Sequence, residues 1–246
     1  MKIKKEMIIG IVILVAGAFL VGGAKIYQQI KIKNDLALRI SSMGGTPQSI
    51  EGLKQAIAAY EKQIEAHVKD AAQTGVYWKI LAIRLQDNGL YNEALEALER
   101  ALYYNPVDAT LHYLTGLSAA TVAKSYHNFS GRDNQERERL FALAEESYLR
   151  AIELDDRYLR PRYGLGILYV FEFDRPAEAI PHLERSLEIS RNDVDTLFVL
   201  ARAYYMTSAY QKALDIYNQI ISVTKDEQKK TEAQNNRQYI MGLLYG

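Results

Sequence analysis

"GVYWKILAIRLQDNGLYNEALEALERALYYNPVDA", from Gly75 to Ala109, decides the fold. Trp78, Leu81, Ala82 and Leu85 return at steps of three and four, the period of an amphipathic helix. Ala94, Leu98 and Ala101 do the same after Gly89 and Tyr91, and Pro106 follows. Numbered as a 34-residue unit from Gly75, Trp78 is position 4, Ala82 position 8, Ala94 position 20, Leu98 position 24 and Ala101 position 27.

The same positions return downstream. Position 8 recurs as Gly116, Gly166 and Ala201, and position 20 as Ala144, Ala179 and Ala213. Position 24 recurs as Tyr148, Leu183 and Tyr217, and position 27 as Ala151, Ser186 and Ile220. A partial copy upstream, "LKQAIAAYEKQIEA", has Ala56 at position 20 and Tyr60 at position 24. Two antiparallel helices that pack closely need a small residue on each at the crossing. Positions 8 and 20 supply them, and large side chains at 4, 7, 11 and 24 fill the space around. One hairpin cannot bury its apolar face alone, whereas stacked copies can.

On these residues the chain resembles the tetratricopeptide repeat family, of the membrane-anchored bacterial envelope type. The likeness covers roughly residues 47–228. It is clearest in Trp78, Leu81, Ala82, Gly89, Tyr91, Ala94, Leu98, Ala101 and Pro106, and in Leu200, Ala201, Tyr204, Tyr210, Ala213 and Tyr217. The middle copies are looser, with Thr115 at position 7 and Arg162 at position 4. The fold the resemblance implies is all-α: a helical-hairpin solenoid with a partial first repeat and four full ones. Residues 229–246 are expected as a closing helix, with Ile240, Leu243 and Leu244 against the last hairpin.

The spacing is not uniform. Ala94 to Ala144 is 50 residues, Ala144 to Ala179 is 35 and Ala179 to Ala213 is 34. The second repeat therefore carries 16 extra residues near 124–139, expected to lengthen both its helices by about two turns. Asp133 with Glu136 three later reads as a capping box at the start of the second of these helices.

The N-terminus carries a separate signal. After a lysine-rich tail at 1–6, Met7 to Ala24 contains no charged residue. At about 1.5 Å per residue that run spans roughly 27 Å, the thickness of a hydrocarbon core. It reads as a transmembrane helix, one uncleaved anchor, with a cleaved signal peptide as the rival reading. Lys2, Lys4 and Lys5 favour a cytoplasmic tail and place the rest outside the cytoplasm. Residues 25–46 are a stalk and linker, and Thr46-Pro47 starts a helix expected to run to about residue 70.

Composition excludes several classes of function. Lys plus Arg and Asp plus Glu are both 30, so no cationic excess exists for nucleic acid. The chain has no cysteine, which removes disulfides, thiolate metal sites and a cysteine nucleophile. His67, His112, His127 and His182 are scattered, so no zinc-hydrolase pair is formed. Gly164 and Gly166 lack the later glycine of a dinucleotide loop and read as close helix packing. Asp155, Asp156, Asp193 and Asp195 lie where repeats join and read as helix caps. No enzymatic activity, cofactor or metal is expected.

Surface then remains as the seat of function. The resemblance implies a concave face lined by the first helix of each hairpin. Here that face offers Tyr113, Leu117, Tyr163, Ile167, Phe171, Phe198, Arg202 and Tyr205, suited to a helical or extended segment of a protein partner. The alternative is that these side chains pack on neighbouring helices. Some members of the family hold a carboxylate with a Lys/Asn/Arg clamp. Lys79 and Arg160 do not rebuild it, because Ile83 stands in the asparagine position. In the insertion, Tyr126, Phe129, Arg132, Arg137 and Arg139 are the candidates for docking a partner or another copy, against a solvated extension without a role.

The resulting expectation is a membrane-anchored scaffold that recruits protein partners in a cell-envelope complex of secretion, assembly or flagellar-motor type. A preprotein receptor and an accessory subunit of an envelope enzyme are the alternatives.

Overall fold

The computed structural model describes residues 49–126 and 131–245, without the side chains of residues 131 and 132. The expected anchor at 7–24 and the stalk at 25–46 lie outside the described residues. Among the described residues no helix is long and apolar enough to cross a membrane. The chain divides into two compact units, Met1–Val68 and Lys69–Gly246.

The described residues are helical throughout: α1 Ile50–Asp87, α2 Tyr91–Tyr104, α3 Ala109–Ser125, α4 Gly131–Leu154, α5 Leu159–Ile167, α6 Pro176–Ile189, α7 Val194–Met206, α8 Tyr210–Val223 and α9 Glu227–Tyr245. A five-residue π-turn, Leu168–Glu172, continues α5.

α1 departs from the expected break near residue 70. It runs 38 residues without interruption, because "DAAQTG" at 70–75 contains no proline and its glycine is wanted where it is. A Cβ on Gly75 would stand 2.7 Å from the Tyr104 Cβ, so only glycine lets α2 end so close. Ala56 and Tyr60 therefore lie on the same helix as Trp78, with no break between them.

In the second unit the small crossing residues are buried as the repeat requires. Ala82, Ala94, Ala144, Ala179, Ala201 and Ala213 are all fully buried. The glycines at position 8 show why size matters there. A Cβ on Gly116 would meet the Tyr148 ring at 2.6 Å, and one on Gly166 would meet Leu183 Cδ2 at 2.4 Å. A Cβ on Gly164 would meet the same Tyr148 ring at 2.7 Å, so Tyr148 is held against two glycine backbones. Gly89 serves a different purpose. Its φ of 76° turns the chain between α1 and α2, a conformation glycine adopts without strain.

Of the acidic residues expected to cap, Asp193 does: its Oδ1 accepts from the backbone N–H of Thr196. Asp108, not singled out from sequence, caps α3, its Oδ1 accepting from the backbone N–H groups of Thr110 and Leu111. Asp155 accepts from the Arg157 N–H within the loop, and Asp195 lies in the first turn of α7 and pairs with Lys229. Asp156 instead pairs with Arg162 and, at 2.7 Å, with Arg185. That pairing explains how a buried arginine occupies the aromatic position 4: its charge reaches the carboxylate at the loop.

The 35-residue step has a structural counterpart. Gly166 to Ala179 is one residue longer than Ala82 to Ala94, and the extra residue is taken up by the π-turn. Arg175 then clips the turn to its neighbours, bonding Glu145 and Glu178 at 2.7 Å and lying over the Tyr169 and Phe173 rings.

The 16-residue insertion is not shared evenly between its helices. α4 has 24 residues against 14 in α2, whereas α3 has 17 against 13 in α7. α3 stops at Ser125, whose hydroxyl donates to Val122 O, and Tyr126 turns extended beyond it. Asp133 lies inside the first turn of α4, not at its cap, and Glu136 pairs with Arg139 instead of closing a box. An acidic first turn still suits the helix dipole.

α9 closes the array through Ala233 and Ile240, which are buried. Leu243 and Leu244 are exposed, contrary to the expectation from sequence. α9 has 19 residues and α8 only 14, so the last turn of α9 has no facing helix.

Candidate functional site

The expected concave-face residues separate into two groups. Tyr113 and Leu117 come from α3, Tyr163 and Ile167 from α5, and all four line one cavity of about 180 Å³. Ala120 and Thr121 extend its α3 wall, Gly164 and Leu168 its α5 wall, and Tyr148 from α4 forms the floor. The cavity exists because Gly116 and Gly164 let Tyr148 sink between α3 and α5. A ligand pocket for a small molecule usually exceeds about 300 Å³. This one is sized for a single large side chain of a partner.

Burial pushes the Tyr113 and Tyr148 hydroxyls above the ordinary tyrosine range, so both stay neutral donors and acceptors. Tyr113 packs its ring 5.3 Å from Tyr158 and 6.2 Å from Tyr148. The rim is charged. Arg160 approaches the Tyr113 hydroxyl and is itself exposed, with no carboxylate partner among the described residues. At the other end Glu172 lies between Lys124 at 3.3 Å and Arg137 at 3.1 Å. At that end both cations share one carboxylate, whereas Arg160 at the other end faces none among the described residues.

The fourth repeat differs. Phe198 sets its ring against Tyr217 at 6.2 Å, Arg202 lies over Tyr205, and Tyr205 packs against Tyr210 and Tyr239. Lys229 ties α9 to Asp195 at 2.6 Å. Phe198 and Tyr205 thus pack on α8 and α9, Arg202 lies exposed over Tyr205, and none of the three joins the α3–α5 cavity. Phe171, in the π-turn, is exposed and also outside it. In the first repeat Lys79 is bound to Asp108 at 2.7 Å, and Gln86 reaches Leu114 O and Ser118. Both side chains lock one hairpin to the next.

Of the insertion, the residues on either side of the tip are described. Tyr126 is half-buried against the main core, and Arg137 lies over the Phe141 ring. Arg139 faces solvent, paired with Glu136. Phe129 and the Arg132 side chain lie outside the described residues. Sequence spacing alone does not find Tyr148, Gly164 and Glu172 as site residues. The signal was present in the two small residues Gly116 and Gly164, which read as packing and also make room for the cavity floor. Among the described residues no cluster of His, Asp and Glu is arranged to hold a metal ion.

Comparison with known proteins agrees with this architecture. Two tetratricopeptide repeat family models match, over residues 81–126 and 170–234. A TPR repeat-containing protein of Borreliella burgdorferi is 24% identical over 204 residues, covering 81% of this chain and 86% of that protein. Anaphase-promoting complex subunit 3 of Schizosaccharomyces pombe is 25% identical over 168 residues, and this chain spans only 22% of its length. Among solved structures, YrrB, described as a TPR protein with an unusual peptide-binding site, superposes with a TM-score of 0.57 at 18% identity, covering 73% of this chain and 82% of that one. A thermophilic TPR protein of Thermus thermophilus, TTC0263, gives 0.54 at 16% identity, with 83% and 98% covered. The chain carries tetratricopeptide repeats and folds over them as an all-helical solenoid.

Proposed function

We propose that this protein is a membrane-anchored scaffold whose α3–α5 groove captures an apolar side chain from a helical or extended segment of a protein partner. The observation that carries the reading is the cavity of about 180 Å³ lined by Tyr113, Leu117, Tyr163 and Ile167, with a tyrosine floor and an arginine at its rim. Aromatic anchors in such a recess dominate interface energetics. The uncompensated Arg160 favours a segment with a carboxylate beside its anchor residue. The likeness to YrrB, whose description includes a peptide-binding site, is in keeping with this role.

The apolar run at 7–24 is the basis for membrane attachment, and the lysines before it for an extracytoplasmic array. The partner is then a component of a cell-envelope complex. Recovery from mild detergent with the full-length chain as bait, followed by mass spectrometry, tests the reading. A partner retained by the wild-type chain is expected to be lost with Leu117→Arg or Tyr163→Ala while helicity is kept. Equal recovery by all three contradicts the groove as the binding surface. Residues 7–24 are tested by carbonate washing: release of the chain into the soluble fraction contradicts the anchor.

A further inference from the structure

The N-terminal half of α1 exposes an apolar face that the peptide groove does not use. Ile50, Leu53, Ile57, Tyr60 and Ile64 follow one another at steps of three and four, and each is 40–75% exposed. That is the seam spacing of a two-stranded coiled coil. Val68, 62% exposed, flanks the same stripe. The opposite side of the helix carries Glu51, Gln55, Lys62, Glu65 and Ala66, a solvent face. A contiguous apolar stripe left in water marks an interaction surface. The stripe therefore calls for an occupant.

Charge identifies it. Lys54 and Glu61 each follow a seam residue, Leu53 and Tyr60, and so stand seven apart on one edge of the stripe. Neither has an ion-pair partner among the described residues. In a parallel pair of helices this edge faces the other edge of the partner, which here carries Ser49, Ala56 and Gln63, all uncharged. In an antiparallel pair the edge faces itself. With Ile57 opposite Tyr60 of the second copy, Lys54 of each chain meets Glu61 of the other, twice by symmetry. The face is thus complementary to itself about a twofold axis, the condition for an isologous dimer. The six apolar side chains leave several hundred Å² exposed per copy, so pairing approaches the roughly 1,200 Å² at which specific interfaces begin. We infer that residues 50–68 form an antiparallel two-helix seam between two copies of this chain.

Native mass spectrometry of the full-length chain in mild detergent, over a dilution series, tests this. The wild-type chain is expected as a dimer at micromolar concentration. Ile57→Lys, which puts a charge into the seam of both copies, should raise the dissociation constant at least 100-fold. Lys54→Glu sets like charges opposite one another at two places and should weaken the dimer about five- to tenfold, whereas Lys54→Glu with Glu61→Lys should restore it to within about twofold. A monomeric wild-type chain overturns the proposal, as does an Ile57→Lys chain that dimerises like wild type, since another segment then holds the copies together. No effect of Lys54→Glu overturns the antiparallel arrangement. Wild-type chain that remains monomeric and whose stripe is covered by its own residues 1–48, or by lipid in a vesicle-flotation assay sensitive to Ile57→Lys, overturns self-pairing in favour of that occupant.

Discussion

Replacing Gly116 with alanine should destabilise the array although alanine is the better helix former. The methyl group would stand 2.6 Å from two atoms of the Tyr148 ring and 3.1 Å from a third. Carbon atoms prefer about 3.5–4.0 Å, so the ring has to withdraw by roughly 1 Å. It has little room, since it is 3% exposed and packs on the Gly164 backbone as well, where a Cβ would stand 2.7 Å from it. Overpacking of this kind costs about 1–3 kcal/mol, and the gain of alanine over glycine in a helix offsets about 1 kcal/mol of it. A net loss of up to about 2 kcal/mol lowers the melting temperature of an array this size by up to about 4–8 °C. The assay is thermal unfolding of the full-length chain followed by circular dichroism at the helix band. Two controls isolate the cause. Gly242→Ala, also in a helix but with nothing within 4 Å of the new Cβ, should raise the melting temperature slightly. In a Tyr148→Leu background, the shorter side chain should make Gly116→Ala neutral or stabilising. If Gly116→Ala raises the melting temperature alongside Gly242→Ala, the two-glycine seat of Tyr148 is wrong.

Three further outcomes are expected. Gly89→Ala should cost about 1–2 kcal/mol through backbone strain alone, since φ is 76° and no atom obstructs the Cβ; Gly89→Asn should cost less, and equal melting temperatures for all three chains would refute the strain. His182 has its pKa held below the ordinary histidine value by burial, then by nearby Arg162, against the opposing pull of Glu178. The unfolded chain therefore takes up a proton that the folded one refuses, so stability falls as pH drops through about 6.5; the loss between pH 7.5 and 5.5 should be smaller in His182→Gln, and an unchanged loss contradicts the assignment. Phe198→Ala should lower the melting temperature by removing the packing on Tyr217, yet leave partner capture by the α3–α5 groove intact when binding is measured on the folded chain.

The hairpin register was legible because it rests on small residues. Ala82, Ala94, Ala144, Ala179, Ala201 and Ala213 hold the two crossing positions of their repeats, and the helix crossings require them there. The start of the array was less legible. Ala56 and Tyr60 match positions 20 and 24, but their spacing within one helix is the same as the spacing inside a hairpin helix, and nothing in residues 70–75 forces a break. The concave face was readable as a set of positions but not as a site. Tyr113, Leu117, Tyr163 and Ile167 meet because Tyr148 sinks below them, whereas Phe198 and Arg202 hold the same repeat positions and pack on Tyr217 and Tyr205 instead. Periodicity gives both groups one assignment; only the packing of α9 and the depth of Tyr148 distinguish them. Within the insertion, polar composition does not separate an arginine that packs inward from one that does not: Arg137 finds Phe141 and Glu172, whereas Arg139 faces solvent.

Site-specific photo-cross-linking tests the groove most directly. A benzoylphenylalanine placed at Tyr163, and another at Tyr205, can be compared in cells that express the full-length chain. The residue at 163 lines the α3–α5 cavity, and that at 205 packs under Tyr239 of α9. On irradiation, position 163 should yield a discrete heavier adduct with a second protein, reduced by Ile167→Arg, and position 205 should yield none. An adduct of equal strength at 205, or none at 163, contradicts the claim that this array binds its partner through the α3–α5 groove.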